Sequence, residues 1–456
     1  MDGLDIKECE FSEVVRSTDY FRLEADYFTA QNLQGDNIVS AIKYIERVQY
    51  GTSEFLNEEK QGYPILRLNE FETYFIKEPA KYCNIITPQQ YEELKLHKGD
   101  VLVCRTNGNP DLVGRAAVIM EECDCAFASY LFRVNVSDEI TPEYFVAYLH
   151  SKYGRIEIDK NSMKGNQTNF SPAKLKDIKI PSFSYDFCNA ITGRFRESYD
   201  QLKTSKDFYG LAEKLLKEKL SIEFDDRQSI SIKKLSNSFN ASGRLDAEYY
   251  QPIYENIEKQ IDGTNTIIAS CENRDENFTP NENEFYQYIE LANVDSMGGI
   301  STIDKIQGKE LPSRARRLVK TGQVIISSVE GSLQSCALIT EEFNNAVCST
   351  GFYVIDSEKY NSETLLVLFK SEPIQALLKK RCSGTILTAI SKEEFEKMPL
   401  PEVDEITQNV IKEKVQESFR LRKKSKELLD IAIKAVEMAI ETDEQTALAW
   451  LGTQNV

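Results

Sequence analysis

The chain has 456 residues, 41% hydrophobic and 28% charged, an ordinary balance for a globular protein long enough for two or three domains. Its formal net charge of −18 argues against a protein coated in positive potential, as a nonspecific nucleic-acid binder would be, but leaves room for local basic clusters. The sequence contains no stretch of about 18 apolar residues that would predict a membrane span. The N-terminus lacks the features of a signal peptide, so we expect a cytoplasmic protein.

A seven-residue phrase occurs twice in the chain. Arg-Leu-Glu-Ala-Asp-Tyr-Phe occupies positions 22–28, and Arg-Leu-Asp-Ala-Glu-Tyr-Tyr occupies positions 244–250. Within the phrase we expect the charged side chains to be solvated around buried apolar ones. Three more segments recur in the same order and at nearly the same spacing: 99–105 with 322–328, 148–151 with 368–371, and 171–181 with 391–401. These matches predict a duplicated domain rather than a solenoid, whose much shorter period covers a single supersecondary unit.

The first copy combines short apolar strands with two polar loops. Apolar segments bounded by turn residues predict strands, and Thr141 before Pro142 is typical of a helix start, with Thr as N-cap and Pro at N1. The polar loops are Arg-Thr-Asn-Gly-Asn-Pro at 105–110 and Lys-Gly-Asn-Gln-Thr-Asn at 164–169. We predict strands at 63–68, 101–104, 116–120 and 130–136, a helix over 142–149, a helical turn from 171 and a closing strand at 178–181.

Residues 186–222 have a different pattern. Apolar residues recur there at spacings of three or four, and charged residues fill the other positions. This pattern predicts an amphipathic helix long enough for a coiled-coil seam.

The second copy repeats these stages. We predict a strand at 288–293, a turn followed by a strand within 319–326, and polar loops at 327–332 and 381–388. A helix over 365–378, a closing segment at 397–401 and a second long helix over 405–441 complete the copy. The complete prediction is an α+β chain made of two tandem mixed α/β domains, each followed by a long helix. Its boundaries are 1–185 for the first domain, 186–226 for the first helix, 227–404 for the second domain, 405–445 for the second helix and 446–456 for a tail.

The sequence gives little support to catalysis. It has no Gly-x-x-x-x-Gly-Lys-[Ser/Thr] phosphate loop, no Gly-x-Gly-x-x-Gly fingerprint and no [Asn/Asp]-Pro-Pro-aromatic tetrapeptide of amino-methyltransferases. The only His residues are His97 and His150, in a turn and at a helix end. Among the ten Cys, Cys123 and Cys125 form the closest pair, and no second pair completes a zinc site. We therefore predict reduced structural thiols, no catalytic residue, and no metal or cofactor held by this chain.

The order of domain, long helix, domain, long helix resembles the specificity subunit of type I restriction–modification systems. The motifs that carry the resemblance are the phrase at Arg22 and Arg244, Lys-Gly-Asp-Val-Leu-Val from Lys98, its partner Thr-Gly-Gln-Val-Ile-Ile, and the Pro-Leu-Pro before the last helix. The resemblance covers nearly the whole chain. It implies that each repeat is a target-recognition domain reading one half of a split DNA sequence, and that the two long helices pack antiparallel and set the distance between the half-sites.

The resemblance also implies partners. Two methyltransferase subunits that use S-adenosylmethionine to methylate adenine would dock on the chain, and restriction subunits that use ATP and Mg²⁺ could join them. Since the chain is acidic, we expect these partners to share the binding of double-stranded DNA, so that the isolated chain binds DNA weakly.

The polar loops and one basic cluster supply the candidate DNA contacts. Arg pairs well with guanine, Asn and Gln with adenine, and basic side chains with phosphate. In the first domain the candidates are Arg105, Asn107, Asn109, Lys164, Asn166, Gln167 and Asn169. In the second domain they are Arg314, Arg316, Arg317, Ser328, Gln334, Lys380, Arg381 and Thr385.

Three other interpretations stay open at this stage. The acidic balance also fits a scaffold in which two sensor domains on a coiled coil bind protein. The same fold could serve a fused nuclease–methyltransferase as its specificity subunit. An enzyme that uses Cys or His is the least favoured of the three.

Overall fold

The computed structural model describes residues 10–17, 37–163, 165–223, 230–239, 243–261, 265–274, 276–384 and 388–454, together with residues 8, 28, 33 and 35. It divides into two compact units. The first unit is Met1–Leu202 with Lys423–Val456, and the second is Lys203–Arg422. Of the N-terminal phrase at 22–28, only Phe28 is among the described residues. No helix in the described ranges is long and apolar enough to cross a membrane.

The first unit contains two main sheets. One is antiparallel, with four strands in the order Ile45–Tyr50, Leu131–Val136, Val101–Cys104 and Ala116–Val118. The other has the order Ala126–Phe127, Tyr63–Leu66 and Lys81–Cys83, and its first pair is parallel. The remaining strands are Ile38–Ser40, Phe71–Glu72, Phe75–Ile76, Thr106–Asn107, Thr168–Asn169 and Lys179–Pro181. The helices of the first domain are Phe11–Ser17, Pro88–Leu94, Pro142–His150, Lys152–Asn161 and Pro172–Asp177.

The second unit repeats this architecture. Its antiparallel sheet has the order Glu272–Asn273, Phe352–Asp356, Val324–Ser327 and Cys336–Leu338. Its other sheet has the order Lys305–Gln307, Phe285–Ile289, Val347–Ser349 and Ala315–Leu318, with a parallel pair in the centre. Cys382–Ser383 and Ala389–Ile390 form a separate pair. The helices are Pro252–Gln260, Ile267–Ser270, Ser362–Lys370, Glu372–Arg381 and Lys392–Glu396.

Local sequence explains several boundaries. Val101–Cys104 is fully buried and forms the predicted strand. The Thr141 hydroxyl accepts a hydrogen bond from the Tyr144 amide at 3.2 Å, with Pro142 in the first turn, so the predicted N-cap is confirmed. The Ser171 and Ser391 hydroxyls cap equivalent short helices in the two repeats. Each cap satisfies an amide that the first helical turn leaves without an intrahelical partner.

Two long helices follow the two domains. The first spans Tyr185–Leu220 and has 36 residues, and the second spans Glu405–Glu441 and has 37. Both helices contribute to both compact units because the unit boundaries fall within them.

Buried serines define how the long helices pair. In the first unit the Ser198 hydroxyl donates to the Ser425 carbonyl at 2.8 Å, and in the second unit the Ser205 hydroxyl donates to the Ser418 carbonyl at 2.8 Å. Farther along the first helix in the second unit, Lys219 binds Asp404, the residue before the second helix, at 2.6 Å. Within this unit rising numbers in one helix therefore meet falling numbers in the other, so the helices are antiparallel. When the sequence alignment of 171–181 with 391–401 is extended into the helices, Ser418 corresponds to Ser198 and Ser425 corresponds to Ser205. The two serine pairs are therefore equivalent positions of the repeat. The predicted fold class is thus confirmed.

The predicted tail contains most of one more helix, Glu444–Thr453. Leu451 and Ala447 are buried in the core of the first unit. Arg194 Nη2 donates to the carbonyls of Leu451 at 2.8 Å and Gln454 at 3.1 Å. A cation at these carbonyls complements the negative end of the helix dipole. The C-terminal residues are therefore part of the first unit.

Replacement of Leu451 by Ala should lower the free energy of unfolding of the first unit by about 2–3 kcal/mol, because it removes buried methyl groups and leaves a cavity. Trp450, the only Trp, packs against the same core and reports its unfolding in urea by fluorescence. Gln445→Ala, at an exposed position of the same helix, is the matched control. Equal midpoints for the two variants would contradict the docking of this helix.

Two departures from the prediction concern the helix and the first strand of the second copy. The predicted helix 365–378 is broken at Ser371, which is extended (φ −68°, ψ 144°) between helices Ser362–Lys370 and Glu372–Arg381. Pro373 is in the first turn of the second helix, and a proline there disfavours continuation from the preceding turn. The predicted strand 288–293 is also wrong beyond Ile289, since Leu291–Asn293 is a 3₁₀ turn.

One cysteine pair contradicts the prediction of reduced thiols. Cys123 and Cys125 are paired as a disulfide, with their Cα atoms 5.3 Å apart, inside the range a disulfide spans. The other cysteines within the described ranges are free thiols, and all but Cys271 are buried.

Candidate nucleic-acid interface

The two polar loops of the first repeat meet at the end of a buried strand. Past Cys104 the chain continues to Arg105, whose amide donates to the Tyr130 carbonyl and whose carbonyl accepts from the Phe170 amide, both at 2.8 Å. Thr106–Asn107 then pairs with Thr168–Asn169. Loops that are far apart in sequence are thus joined in one three-segment junction.

The second repeat contains the same junction. The Ser328 amide donates to the Gly351 carbonyl, and the Ser328 carbonyl accepts from the Ile390 amide, both at 2.9 Å. The Glu330 amide donates to the Thr388 carbonyl at 3.0 Å. Arg105 and Ser328 are therefore structural equivalents. The two copies share a backbone frame and differ in the side chains that it carries.

Arg105 is the most developed candidate of the first junction. Its guanidinium carbon lies 5.0 Å from the ring centroid of Tyr50, and Nη1 donates to the Ser129 carbonyl at 3.4 Å. Tyr50 is 48% exposed, so the stacked pair is accessible to a large ligand. Stacking on an aromatic ring limits the rotamers of an arginine and keeps its donors aligned.

The other candidates of the first junction divide into turn residues and exposed residues. Asn107 Oδ1 accepts from the Asn109 amide at 2.9 Å, and Asn109 Oδ1 accepts from the Asp111 amide at 3.0 Å, so both side chains shape the loop. Asn166 and Gln167 are exposed. Asn169 is half-buried in the strand pair, and Lys164 lies outside the described residues.

The basic cluster of the second repeat lies next to its junction. The Arg314 carbonyl accepts from the Thr350 amide at 2.8 Å, and Thr350 precedes the Gly351 that bonds Ser328. Arg314 is exposed. Arg316 and Arg317 are half-buried on strand Ala315–Leu318, where Nε of Arg316 donates to the Ser313 carbonyl at 3.0 Å and Nη1 of Arg317 donates to Asn277 Oδ1 at 2.9 Å.

The first repeat has no basic counterpart to this cluster in the described residues. The equivalent segment, on the alignment of residues 99–105 with 322–328, is helix Pro88–Leu94, which carries Glu92 and Glu93 where the second repeat has a strand with arginines. The two candidate interfaces therefore differ in charge as well as in loop sequence.

The remaining candidates of the second repeat differ in how far they are exposed to solvent. Lys380 and Arg381 are buried, and both bind Glu258, at 2.6 and 3.0 Å. The two cations share this one carboxylate inside the unit, because the last turn of their helix faces helix Pro252–Gln260. Ser328 is buried and its hydroxyl donates to the Gly351 carbonyl at 3.0 Å. Gln334 is exposed, and Thr385 lies outside the described residues.

Sequence reasoning did not single out Tyr50 or Ser129. Both act on Arg105 from segments that are distant in sequence. Tyr50 ends strand Ile45–Tyr50, and an aromatic residue at a strand end is too common to mark a site.

The two histidines make hydrogen bonds and packing contacts within the first unit. His97 is exposed and lies 2.9 Å from Glu122, and its proximity lowers the pKa of the Glu122 carboxyl. His150 Nε2 lies 2.8 Å from the Ala116 carbonyl oxygen, and its ring lies 4.2 Å from that of Tyr74. Burial lowers the pKa of His150 to about 4. In the described parts of the chain no group of three or more His, Cys, Asp or Glu residues could hold a metal ion.

The pKa of His150 predicts acid sensitivity in the first unit. Its folded pKa of about 4 lies below the unfolded value of about 6.5, so the unfolded chain takes up a proton first as the pH falls. The contribution to stability is complete above pH 6.5 and decreases toward pH 4. Between pH 7 and pH 5 we expect a loss of about 2 kcal/mol from this residue.

Urea unfolding followed by Trp450 fluorescence at several pH values measures this effect. His150→Gln should lose less stability than the wild type between pH 7 and pH 5, because Gln does not titrate. Gln445→Ala, at an exposed position that does not titrate, should follow the wild-type curve. If the curve of His150→Gln were parallel to the wild type, the expected role of His150 would be wrong.

Comparisons with known proteins give one sequence relative. No family model matches the chain. The specificity subunit of the type I restriction enzyme StySPI from Salmonella potsdam is 26% identical over 143 residues, which is 30% of this chain and 30% of the relative. The match confirms the resemblance inferred from the repeated motifs, although it spans less than a third of the relative's length.

Solved structures align with more of the chain. The S subunit of a type I restriction–modification system from M. genitalium covers 94% of this chain and 99% of its own, at 13% identity and a TM-score of 0.37. The HsdS subunit from Thermoanaerobacter tengcongensis covers 89% of this chain and 96% of its own, at 13% identity and a TM-score of 0.29.

Proposed function

We propose that this chain is the DNA-recognition subunit of a type I restriction–modification complex, and that each repeat reads one half of a bipartite target. The observation that carries the proposal is the pair of matching junctions. The same backbone frame presents Arg105 in one repeat and Ser328 in the other. A shared frame with different side chains is what two half-sites of different sequence require.

The side chains at the two junctions suit two roles, base recognition and phosphate binding. Arg105 can donate two hydrogen bonds to the O6 and N7 of guanine in a major groove, and exposed Asn166 and Gln167 can pair with adenine. Arg314 at the edge of the second junction suits a phosphate, which would fix the position of the domain without reading sequence. Lys380 and Arg381 are not part of this proposal, because both side chains are buried and bind Glu258 within the unit.

The long helices supply the spacing. Two recognition domains on one support bind bivalently, so that the second half-site is engaged at high effective concentration once the first is bound. The antiparallel serine pairs hold the helices in one register, and a change in helix length would change the distance between half-sites.

The chain performs no chemistry on DNA in this proposal. Two partner methyltransferase subunits dock on it in the cytoplasm and methylate adenine with S-adenosylmethionine, and restriction subunits that use ATP and Mg²⁺ join when present. The net charge of −18 supports shared DNA binding, since an acidic chain alone lacks the cations that release counterions from DNA. The isolated chain is expected to bind DNA weakly.

The test is to purify the chain with the adenine methyltransferase encoded beside it and to map methylated adenine across random DNA. The expected result is one split motif with two short half-sites at a fixed spacing. Exchange of residues 1–183 for the corresponding domain of a similar protein should change one half-site only. Absence of both methylation and a stable complex would overturn the proposal in favour of a protein-binding scaffold.

A further inference from the structure

The repeated phrase has a definite role in the second unit. Residues 244–250, called here the Arg244 phrase, lie against the C-terminal end of helix Glu372–Arg381. Nη2 of Arg244 donates to the Cys382 carbonyl at 2.9 Å, and Nη1 donates to the Lys380 carbonyl at 3.5 Å. Carbonyls at a helix end have no intrahelical donor, and a cation there is favourable.

The other residues of the Arg244 phrase hold the guanidinium in place. Nε and Nη2 of Arg244 donate to the two carboxylate oxygens of Asp246 at 2.9 and 2.6 Å. The Tyr249 ring centroid lies 4.4 Å from the guanidinium carbon. The Tyr250 hydroxyl donates to the Arg244 carbonyl at 3.0 Å and closes the segment on itself. Arg244 is thus half-buried and fixed by partners, whereas Asp246 and Glu248 are exposed as expected. Leu245 is 72% exposed, so the expectation that the apolar residues of the phrase are buried is wrong for this residue.

A second set of bonds fastens the same helix end. Glu248 binds Lys379 at 3.1 Å and accepts from the Tyr254 hydroxyl at 2.9 Å. Glu258, on the helix that follows the phrase, binds Lys380 and Arg381. Helix Pro252–Gln260 and the phrase therefore bind the last turn of helix Glu372–Arg381 together.

This helix end leads directly into the candidate interface. Cys382 pairs with Ile390, and the Ile390 amide donates to the Ser328 carbonyl at 2.9 Å. A chain of contacts thus runs from the Arg244 guanidinium to the backbone of Cys382, and through backbone pairing to Ile390 and to Ser328 at the junction. Displacement of the helix end would move one of the strands that build the junction.

We infer that the Arg244 phrase is a positioning device for the recognition junction of the second repeat, and that it sets how selectively the second half-site is read. This inference rests on the proposed function for its DNA readout, but not for its structural readout. Of the similar phrase at 22–28, only Phe28 is among the described residues, so the inference concerns the second repeat.

Hydrogen exchange tests the structural part without any partner or DNA. In Arg244→Ala the amides of residues 381–383 and 389–390 should exchange roughly tenfold faster than in the wild type, because a charge-assisted cap is lost. Amides of the first unit should not change. Arg274→Ala removes a half-exposed arginine of the same unit that pairs with Glu272 and Asp356, and should leave residues 381–383 at the wild-type rate. Wild-type exchange in Arg244→Ala would overturn the inference.

Methylation mapping tests the effect on reading. In complex with the methyltransferase, Arg244→Ala should lose about tenfold in selectivity at one half-site and keep the other half-site intact. Arg244→Lys retains the charge but not the forked contact with Asp246, and should give an intermediate loss; it also serves as the test if Arg244→Ala does not fold. Faster exchange combined with unchanged reading of both half-sites would overturn the specificity role. If the wild-type complex showed no split motif, the proposed function would fail, and exchange would still decide the structural role.

Discussion

Replacement of Asp100 by Ala is expected to lower the free energy of unfolding of the first unit by about 3–5 kcal/mol. Asp100 lies 3.2 Å from the guanidinium of Arg133, and both side chains are only 5% exposed. Asp100 also accepts from the His97 amide at 2.9 Å. Removal of the carboxylate leaves a buried cation without its counterion, which costs more than the loss of a hydrogen bond.

The second repeat has uncharged residues at the positions equivalent to this ion pair. Its equivalents of Asp100 and Arg133 are Gln323 and Val354, both buried. Gln323 Oε1 accepts from the Lys320 amide at 2.8 Å, and so keeps the turn contact that Asp100 makes with His97. The duplicated sequence therefore holds one turn with a carboxylate in the first repeat and with an amide, whose Nε2 donates to Asp356 at 3.2 Å, in the second.

The double variant Asp100→Gln with Arg133→Val should recover at least about 2 kcal/mol of the loss seen in Asp100→Ala, because it removes the unpaired charge. Urea unfolding followed by Trp450 fluorescence measures each variant. Asp138→Ala, at an exposed position of the same unit, should change stability by less than about 0.5 kcal/mol. A double variant no more stable than Asp100→Ala would show that the ion pair is not the cause.

Replacement of Arg105 by Ala is expected to reduce the selectivity for one base pair of one half-site by about 5- to 150-fold, equivalent to about 1–3 kcal/mol. Arg105 is the half-buried donor that emerges from the end of the buried strand, and it stacks on Tyr50. Tyr50→Ala should give a smaller loss of the same kind, because the arginine remains but is no longer held in one orientation. Tyr50→Phe keeps the ring and should retain most of the selectivity.

Methylated adenine mapped on random DNA measures these changes, with the methyltransferase complex of each variant. Ser328→Ala is the matched control at the equivalent position of the second repeat, and it should leave the half-site of the first repeat unchanged. An Arg105→Ala complex that methylates the same motif with wild-type selectivity would remove Arg105 from the interface.

Local sequence determined several elements of this protein. Residues 101–104 form a strand because they are apolar and follow a Gly turn, and helix Pro142–His150 begins at Thr141 because that residue caps it. The long helices follow from apolar spacings within each segment. The duplication was also readable directly, because four segments recur at nearly one spacing. Each of these features depends on residues close together in sequence, or on a comparison of the chain with itself.

Only the tertiary structure decided which polar residues form the candidate interface. The two polar loops of the first repeat meet because strands distant in sequence pair beside them, and Tyr50 reaches Arg105 in the same way. From the sequence, Lys380 and Arg381 are predicted to contact DNA, yet in the structure both bind Glu258. A sequence shows the charge of a side chain but not the surface that it faces, because that surface is set by packing between distant segments.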